Sequence, residues 1–269
     1  MPTDRPDIGV KSVQVTLDVL EAVAFSTEEV GVTELAGKLG LTKGTIFRHL
    51  KTLVERGYLA QNPATTRYRL GIKSHLLGRM AGASIDLLAS AEAAMKSLRD
   101  ATGQTVVLSA VEPRAVRVVT TLMGKSPIEI GVRPGSELQF HASAQGKVAL
   151  AFSRRPLLAR LEKQTLSRLT DHTITDVALL RREIDRVRGQ GWASAPEQVM
   201  LGINALAAPI LDQTGDGIAA IALCGSIQFL RQRPDPAQIA AVKAAAAQVS
   251  RNLGFGVRAR QRTAASAAE

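Results

Sequence analysis

The chain has 269 residues, 45% of them hydrophobic, a formal net charge of +10 and a single cysteine. That length and apolar content imply a real core and more than one domain. The lack of an apolar run of about 20 residues excludes a helical membrane span, and one cysteine excludes an internal disulfide or a multi-cysteine metal centre. The opening MPTDRPDIG carries no apolar segment of a secretory leader. It is read as a flexible arm over residues 1–9, and a cytoplasmic location is expected.

Residues 12–25 place Val13, Leu17, Leu20, Val23 and Ala24 at helical spacing, which predicts a helix that completes a three-helix core. Residues 33–39 predict a short helix stopped by Gly40, a residue that tolerates the left-handed backbone of a helix end. Thr42 offers a hydroxyl to cap a second helix over 43–56, which ends at Gly57. The break Gly40-Leu41-Thr42 has the length of a helix-turn-helix turn. Segments 58–60 and 67–70 then predict two strands around a Pro/Ala/Thr tip, a wing. Residues 10–73 therefore read as a winged helix-turn-helix, a module that grips double-stranded DNA.

The second helix supports this by its own geometry. At 100° per residue, Ile46, Leu50, Leu53 and Val54 share one face, while Gly44, Arg48, Lys51 and Glu55 share the other. Recognition helices read bases with their N-terminal part, which here offers Thr42, Lys43, Gly44, Thr45 and Arg48. Arg48 suits a bidentate contact to guanine, and Lys51, Thr52 and Arg67 suit the phosphate backbone. The charge agrees. Residues 1–30 hold two basic and six acidic side chains, whereas residues 31–75 hold eight basic and two acidic ones. Positive charge thus concentrates where phosphate must be neutralised.

Residues 74–88 are read as a linker helix, and 89–257 as a second domain opened by a helix over 87–101. From Gln104 the period changes to strands: TVVLSAV, then AVRVVTTL after the turn Glu112-Pro113-Arg114. Helices are predicted over 143–152 and 178–190, strands over 204–211 and 217–224, and a last helix over 235–253. Hairpin strands with helices at both ends predict an α+β domain on an antiparallel sheet. Cys224 lies in an apolar run and reads as a small buried hydrophobe. Residues 258–269 read as a disordered tail, basic at Arg258, Arg260 and Arg262 and then rich in alanine.

Ordered matches along nearly the whole chain resemble the IclR family of transcriptional regulators. They include Leu17-Asp18-Val19-Leu20, Glu34-Leu35-Ala36, Leu39-Gly40-Leu41, Leu53-Val54-Glu55-Arg56-Gly57-Tyr58 and Arg67-Tyr68-Arg69-Leu70-Gly71. In the second half they continue at His141-Ala142-Ser143-Ala144-Gln145-Gly146-Lys147, Gly191-Trp192-Ala193, Gly202 and Ala207-Ala208-Pro209-Ile210. The resemblance implies a GAF-like effector domain that binds a small organic or aromatic acid, and homodimers that often pair into tetramers on a near-palindromic operator. It also implies a pocket lined by Ile130, Leu138, Ala144, Gln145, Ala195, Ile203 and Ala205. A helix starting near Ser143 would then aim its N–H groups at an anion. Three positions depart from the family pattern: Ala195 and Gln198 stand where acids are common, and Ala205 where a cysteine is. Losing two acids favours a bulkier, flatter or more apolar acid over a small polar keto acid.

Two other function classes compete. An enzyme fused to a DNA-binding module finds no support: there is no G-x-S-x-G, P-loop, H-E-x-x-H or G-x-G-x-x-G after a strand. The four histidines form no nucleophile or metal arrangement, so no catalytic residue, cofactor or metal is expected. A ligand-independent architectural DNA-binding protein would leave the large second domain without a role.

Overall fold

The computed structural model describes residues 10–26, 28–81 and 87–256, and side chains within these except at 78–81. The expected arm (1–9), the junction 82–86 within the expected linker, and the expected tail (258–269) lie outside the described residues. Among those described, no helix is long and apolar enough to cross a membrane. The chain divides into two compact units, Met1–Ile85 and Asp86–Glu269.

In the first unit, α1 (Lys11–Ala24), α2 (Val32–Leu39) and α3 (Lys43–Glu55) precede a hairpin of β1 (Leu59–Gln61) and β2 (Tyr68–Leu70), and α4 (Ile72–Ala81) follows. Gly40 does adopt the left-handed conformation, at φ 65°. The Thr42 hydroxyl accepts the Thr45 N–H at 3.2 Å, capping α3. The core gathers Val19 and Val23 of α1, Leu35 of α2, Ile46, Leu50 and Leu53 of α3, and Leu59 and Tyr68 of the wing. The predicted core face of α1 needs correction. Val13 and Leu17 are about half exposed, and the buried positions are Val19, Ala22 and Val23. Both sides of this helix are apolar, so periodicity alone does not choose between them.

In the second unit, α5 (Leu87–Thr102) leads into β3 (Thr105–Val111), β4 (Val116–Leu122) and β5 (Glu137–Leu138). Next come α6 (Ala144–Phe152), α7 (Leu157–Leu161), α8 (Val177–Gln190) and β6 (Ala193–Ser194), then β7 (Ile203–Leu211), β8 (Gly217–Ser226) and α9 (Pro236–Asn252). The six strands form one sheet in the order β5-β4-β3-β8-β7-β6. Each neighbouring pair is antiparallel.

Helices cover both faces. Val106, Leu108, Leu206, Ile210, Ile221 and Leu223 pack toward α5 and α9. Ala207, Ala220 and Ala222 pack toward α6 and α8. These alanines let α6 lie close to the sheet, and every residue of α6 from Ala144 to Ala151 is buried. Burial on both faces also explains why β3 reads as a continuous apolar run rather than an alternation.

Candidate nucleic-acid interface and effector site

Along α3, Lys43, Gly44, Phe47, Arg48, Lys51, Thr52 and Glu55 are all exposed and recur every three to four residues, so they form one stripe opposite Ile46, Leu50 and Leu53. Thr42 and Thr45 sit at the head of this stripe with their hydroxyls 2.9 Å apart. All the sequence-predicted residues of this helix therefore converge on one surface. Phe47 joins them, a residue the charge pattern did not single out. The Thr52 hydroxyl donates to the Arg48 carbonyl at 3.1 Å. Lys51 lies 3.9 Å from Glu55, with both side chains well exposed, a pair that screening leaves weak.

The back of α3 is pinned to α1. The Thr16 hydroxyl donates to the Ser12 carbonyl at 2.7 Å, so its oxygen is left to accept from His49 Nδ1 at 2.8 Å. This fixes the rotation of α3 about its axis and hence which residues face outward.

Arg67 has acquired a structural duty that the sequence did not reveal. Its Nε donates to the Glu29 carbonyl at 2.6 Å and its Nη2 to Glu34 Oε2 at 3.0 Å. The same Glu29 accepts from Asn62 Nδ2 and the Thr65 hydroxyl at the wing tip. Val30 bridges to Tyr68 beside it. The wing is thus fastened to the segment before α2 by contacts more than 30 residues apart in sequence. At its other end, α4 is tied to the wing base: Gly71 N–H donates to the Tyr58 carbonyl at 2.7 Å, and the Ser74 hydroxyl to the same carbonyl at 2.8 Å.

In the second unit the predicted pocket residues gather on the α6 face of the sheet. Ile130, Leu138 and Ile203 pack with buried Val107, Val118 and Cys224. Leu138 also reaches the neighbouring cluster that contains Ala144, Ala195 and Ala205. Cys224 belongs to this group, since it is cross-strand partner to both Ala205 and Thr105. It is buried, as its place in an apolar run predicts. Burial pushes its thiol up to about 11, so it stays protonated at neutral pH.

The first turn of α6 closes the group. Ser143 caps it by accepting the Gly146 N–H at 2.9 Å, and the Lys147 N–H goes to the Ser143 carbonyl. The N–H groups of Ala144 and Gln145 have no acceptor among the described residues. A turn with uncommitted, buried donors has the chemistry to hold an anion. Gly146 is required here: a Cβ at this position would lie 2.5 Å from the Gln139 carbonyl oxygen and the Phe140 Cα.

Behind this turn sits Lys147, 1% exposed, its Nζ 3.2 Å from Glu183 Oε1 and 3.0 Å from the Ser194 carbonyl. Burial outweighs the attraction of Glu183 and holds the ammonium below the ordinary lysine range. Arg186 grips the same carboxylate through Nε and Nη2, each at 2.9 Å. His141 is committed to the Ser167 carbonyl at 2.9 Å, and His172 is half exposed, 3.7 Å from Glu197. No group of three or more metal-ligating side chains occurs among the described residues.

Two cavities in this unit lie away from the predicted pocket. One, about 580 Å³, runs between α9 and β7 beside Lys243 and Phe255. The other, about 360 Å³, lies at the β6 edge between Trp192, Arg186 and Arg233. None of the seven predicted pocket residues lines either.

An exposed basic helix with a wing, followed by an antiparallel sheet domain covered by helices on both faces, has the build of a DNA-binding regulator with a separate second domain. Comparison with known proteins gives the family. Residues 80–251 match the bacterial transcriptional regulator IclR C-terminal domain, and residues 12–63 the IclR helix-turn-helix domain. The chain is 29% identical over 254 residues to the HTH-type transcriptional regulator KdgR of Escherichia coli (strain K12), covering 94% of this chain and 96% of that one. An IclR transcriptional regulator from Alicyclobacillus acidocaldarius superimposes with a TM-score of 0.76 at 26% identity, over 91% of this chain and 99% of the other. An IclR homolog from Microbacterium hydrocarbonoxydans complexed with 4-hydroxybenzoate shares the fold, with a TM-score of 0.77 at 20% identity over 90% and 99%. The chain belongs to the IclR family of transcriptional regulators, with a DNA-binding helix-turn-helix and an effector-binding domain, and the enzyme reading is set aside.

Proposed function

We propose that the chain is a cytoplasmic homodimeric regulator that grips a near-palindromic operator with the outer stripe of α3 and is gated by an organic or aromatic acid bound in the second unit. Thr42, Lys43, Gly44, Thr45 and Arg48 face the bases. Lys51, Thr52 and Arg67 face phosphates, with Arg67 in the weaker role because Glu34 already holds its guanidinium. The effector sits against Ile130, Leu138, Ile203, Ala205 and Cys224, and its carboxylate meets the first turn of α6 at Ala144 and Gln145, with Ala195 alongside.

The observation that carries the effector reading is the pair of uncommitted N–H donors of Ala144 and Gln145 at the edge of an apolar cluster. An apolar wall with one anion-binding end fits a flat acid better than a small hydroxylated one. That the Microbacterium homolog holds 4-hydroxybenzoate is consistent with this preference.

Dimerisation is assigned to α1 and α4. Val10, Val13 and Leu17 expose apolar side chains at i, i+3 and i+7, and Ile72, Leu76 and Leu77 expose theirs at i, i+4 and i+5 on α4. A two-fold pair of recognition helices then requires half-sites about one helical turn apart, or a multiple of it. Because α4 is hydrogen-bonded to the wing base, a ligand that alters how α4 is held alters how the wing and α3 meet DNA. Pairing of dimers into tetramers follows the family habit.

Footprinting on DNA upstream of the chain's own gene and its divergent neighbour, with and without a panel of aromatic and keto acids, tests this. A protected near-palindrome whose occupancy changes with one aromatic acid is expected. Protection indifferent to every compound would remove the effector reading. Ala195→Asp should weaken binding of that acid by like-charge repulsion, and unchanged affinity would take Ala195 out of the site.

A further inference from the structure

We propose that Phe47 is a specificity-determining residue that reads the 5-methyl group of a thymine in the major groove, an assignment that rests on the α3 stripe being the DNA-reading face. The observation is a phenylalanine in the wrong place for a solvated helix face. Phe47 is 53% exposed, lies outside the core cluster of its own unit, and has Lys43, Arg48 and Lys51 around it at helical spacing. A large apolar ring held in water among cations costs free energy that a polar residue at this position would not. Ile46, just before it, is buried, and His49, two residues on, is held by Thr16 of α1, so α3 cannot rotate to hide the ring.

The surroundings suit close approach. A helical side chain leans toward the N-terminus, over the turn before it; for Phe47 that turn contains Gly44. A Cβ built on Gly44 would meet nothing within 4 Å, so the glycine is not demanded by packing or by its backbone. Its effect is to leave the ring a clear path to the groove floor. In the major groove the only apolar group among the four bases is the thymine methyl, and a phenyl ring is one of the side chains that recognises it. Arg48, next along the helix, prefers guanine O6 and N7 by bidentate geometry. The pair predicts a half-site in which a guanine and a thymine lie at or next to adjacent base steps.

The test uses the full-length protein and a duplex operator that it selects from a random-sequence pool. Each thymine is replaced singly by deoxyuridine, which removes only the methyl group, and affinity is measured for wild type, Phe47→Ala and Phe47→Leu. One thymine per half-site is expected at which deoxyuridine weakens wild type by about threefold to fivefold, the loss of one buried methyl. Phe47→Ala should bind the unmodified operator more weakly and be insensitive to that replacement, whereas Phe47→Leu retains part of the sensitivity. Because Phe47 lies outside the core, both variants should unfold at the wild-type temperature. If wild type and Phe47→Ala respond equally at every thymine, the assignment is wrong while DNA reading by α3 stands. If wild type enriches no sequence from the pool, the reading beneath it fails as well.

Discussion

The two units of this chain carry function in opposite ways. The first displays it: α3 buries Ile46, Leu50 and Leu53 and turns its remaining side chains outward, so the interface is a surface fixed by helical periodicity. The second, on the proposed reading, encloses it: Ile130, Leu138, Ile203, Ala205 and Cys224 come from four separate segments, and the first turn of α6 is buried near them. A displayed site should tolerate substitution in stability and fail in recognition. An enclosed site should do the reverse.

The largest effect is expected at Gly146. A methyl group there would press on the backbone of Gln139 and Phe140, and neither can retreat without unseating α6. Gly146→Ala should cost about 3 kcal/mol and lower the melting temperature of a unit this size by roughly 6–12 °C. An unchanged melting curve would mean that the close approach is not structural. On the displayed side, Arg48→Ala should leave melting unaltered while costing about 1–3 kcal/mol at the preferred operator and much less at unrelated DNA. Lys51→Ala should weaken all DNA alike and reduce the salt slope by about 1. If Arg48→Ala bound its operator as wild type does, the reading face would be misplaced.

Thr42 lies between the two behaviours, since its hydroxyl caps α3 and also stands at the head of the reading stripe. Thr42→Ala should cost about 1 kcal/mol of first-unit stability, measured by urea unfolding. Thr42→Ser should recover it, and equal stability in all three proteins would deny the cap.

The smallest effect is a pH dependence at Lys147. Its folded value lies below that of an unfolded lysine, so the unfolded chain binds more protons in the interval between them and stability rises with pH there. Compared with Lys147→Met, wild type should therefore gain relative stability as pH rises from neutral toward the unfolded lysine value. A gap that stays constant in urea unfolding at pH 7.5 and 9.5 would show that the buried ammonium is not destabilised.

The contrast also explains what the sequence made legible. Gly40, the Thr42 cap and the outer stripe of α3 are local features governed by a 3.6-residue period, and the structure reproduces them closely. The antiparallel α+β architecture of the second unit was readable from hairpin turns and helix lengths. The two-residue strands β5 and β6 were not, because a strand that short has no alternation to detect. Val13 and Leu17 were assigned to the core because α1 is apolar on two sides, and which side is covered depends on what packs there. Arg67 looked like a free phosphate contact because Glu29 and Glu34 are more than 30 residues away in sequence. The pocket residues could be named only through family resemblance, whereas Cys224 was legible as a small buried hydrophobe and is one.

If an acid held in the second unit governs the grip of α3 on DNA, the two binding equilibria are linked. Operator affinity would be measured by anisotropy with and without a saturating acid chosen by its thermal stabilisation of the protein. Coupling of about 1–3 kcal/mol, or roughly 5- to 150-fold in operator affinity, is expected, with the reciprocal change in acid affinity when DNA is bound. An acid that binds and stabilises the second unit, yet leaves operator affinity unchanged, would contradict the account.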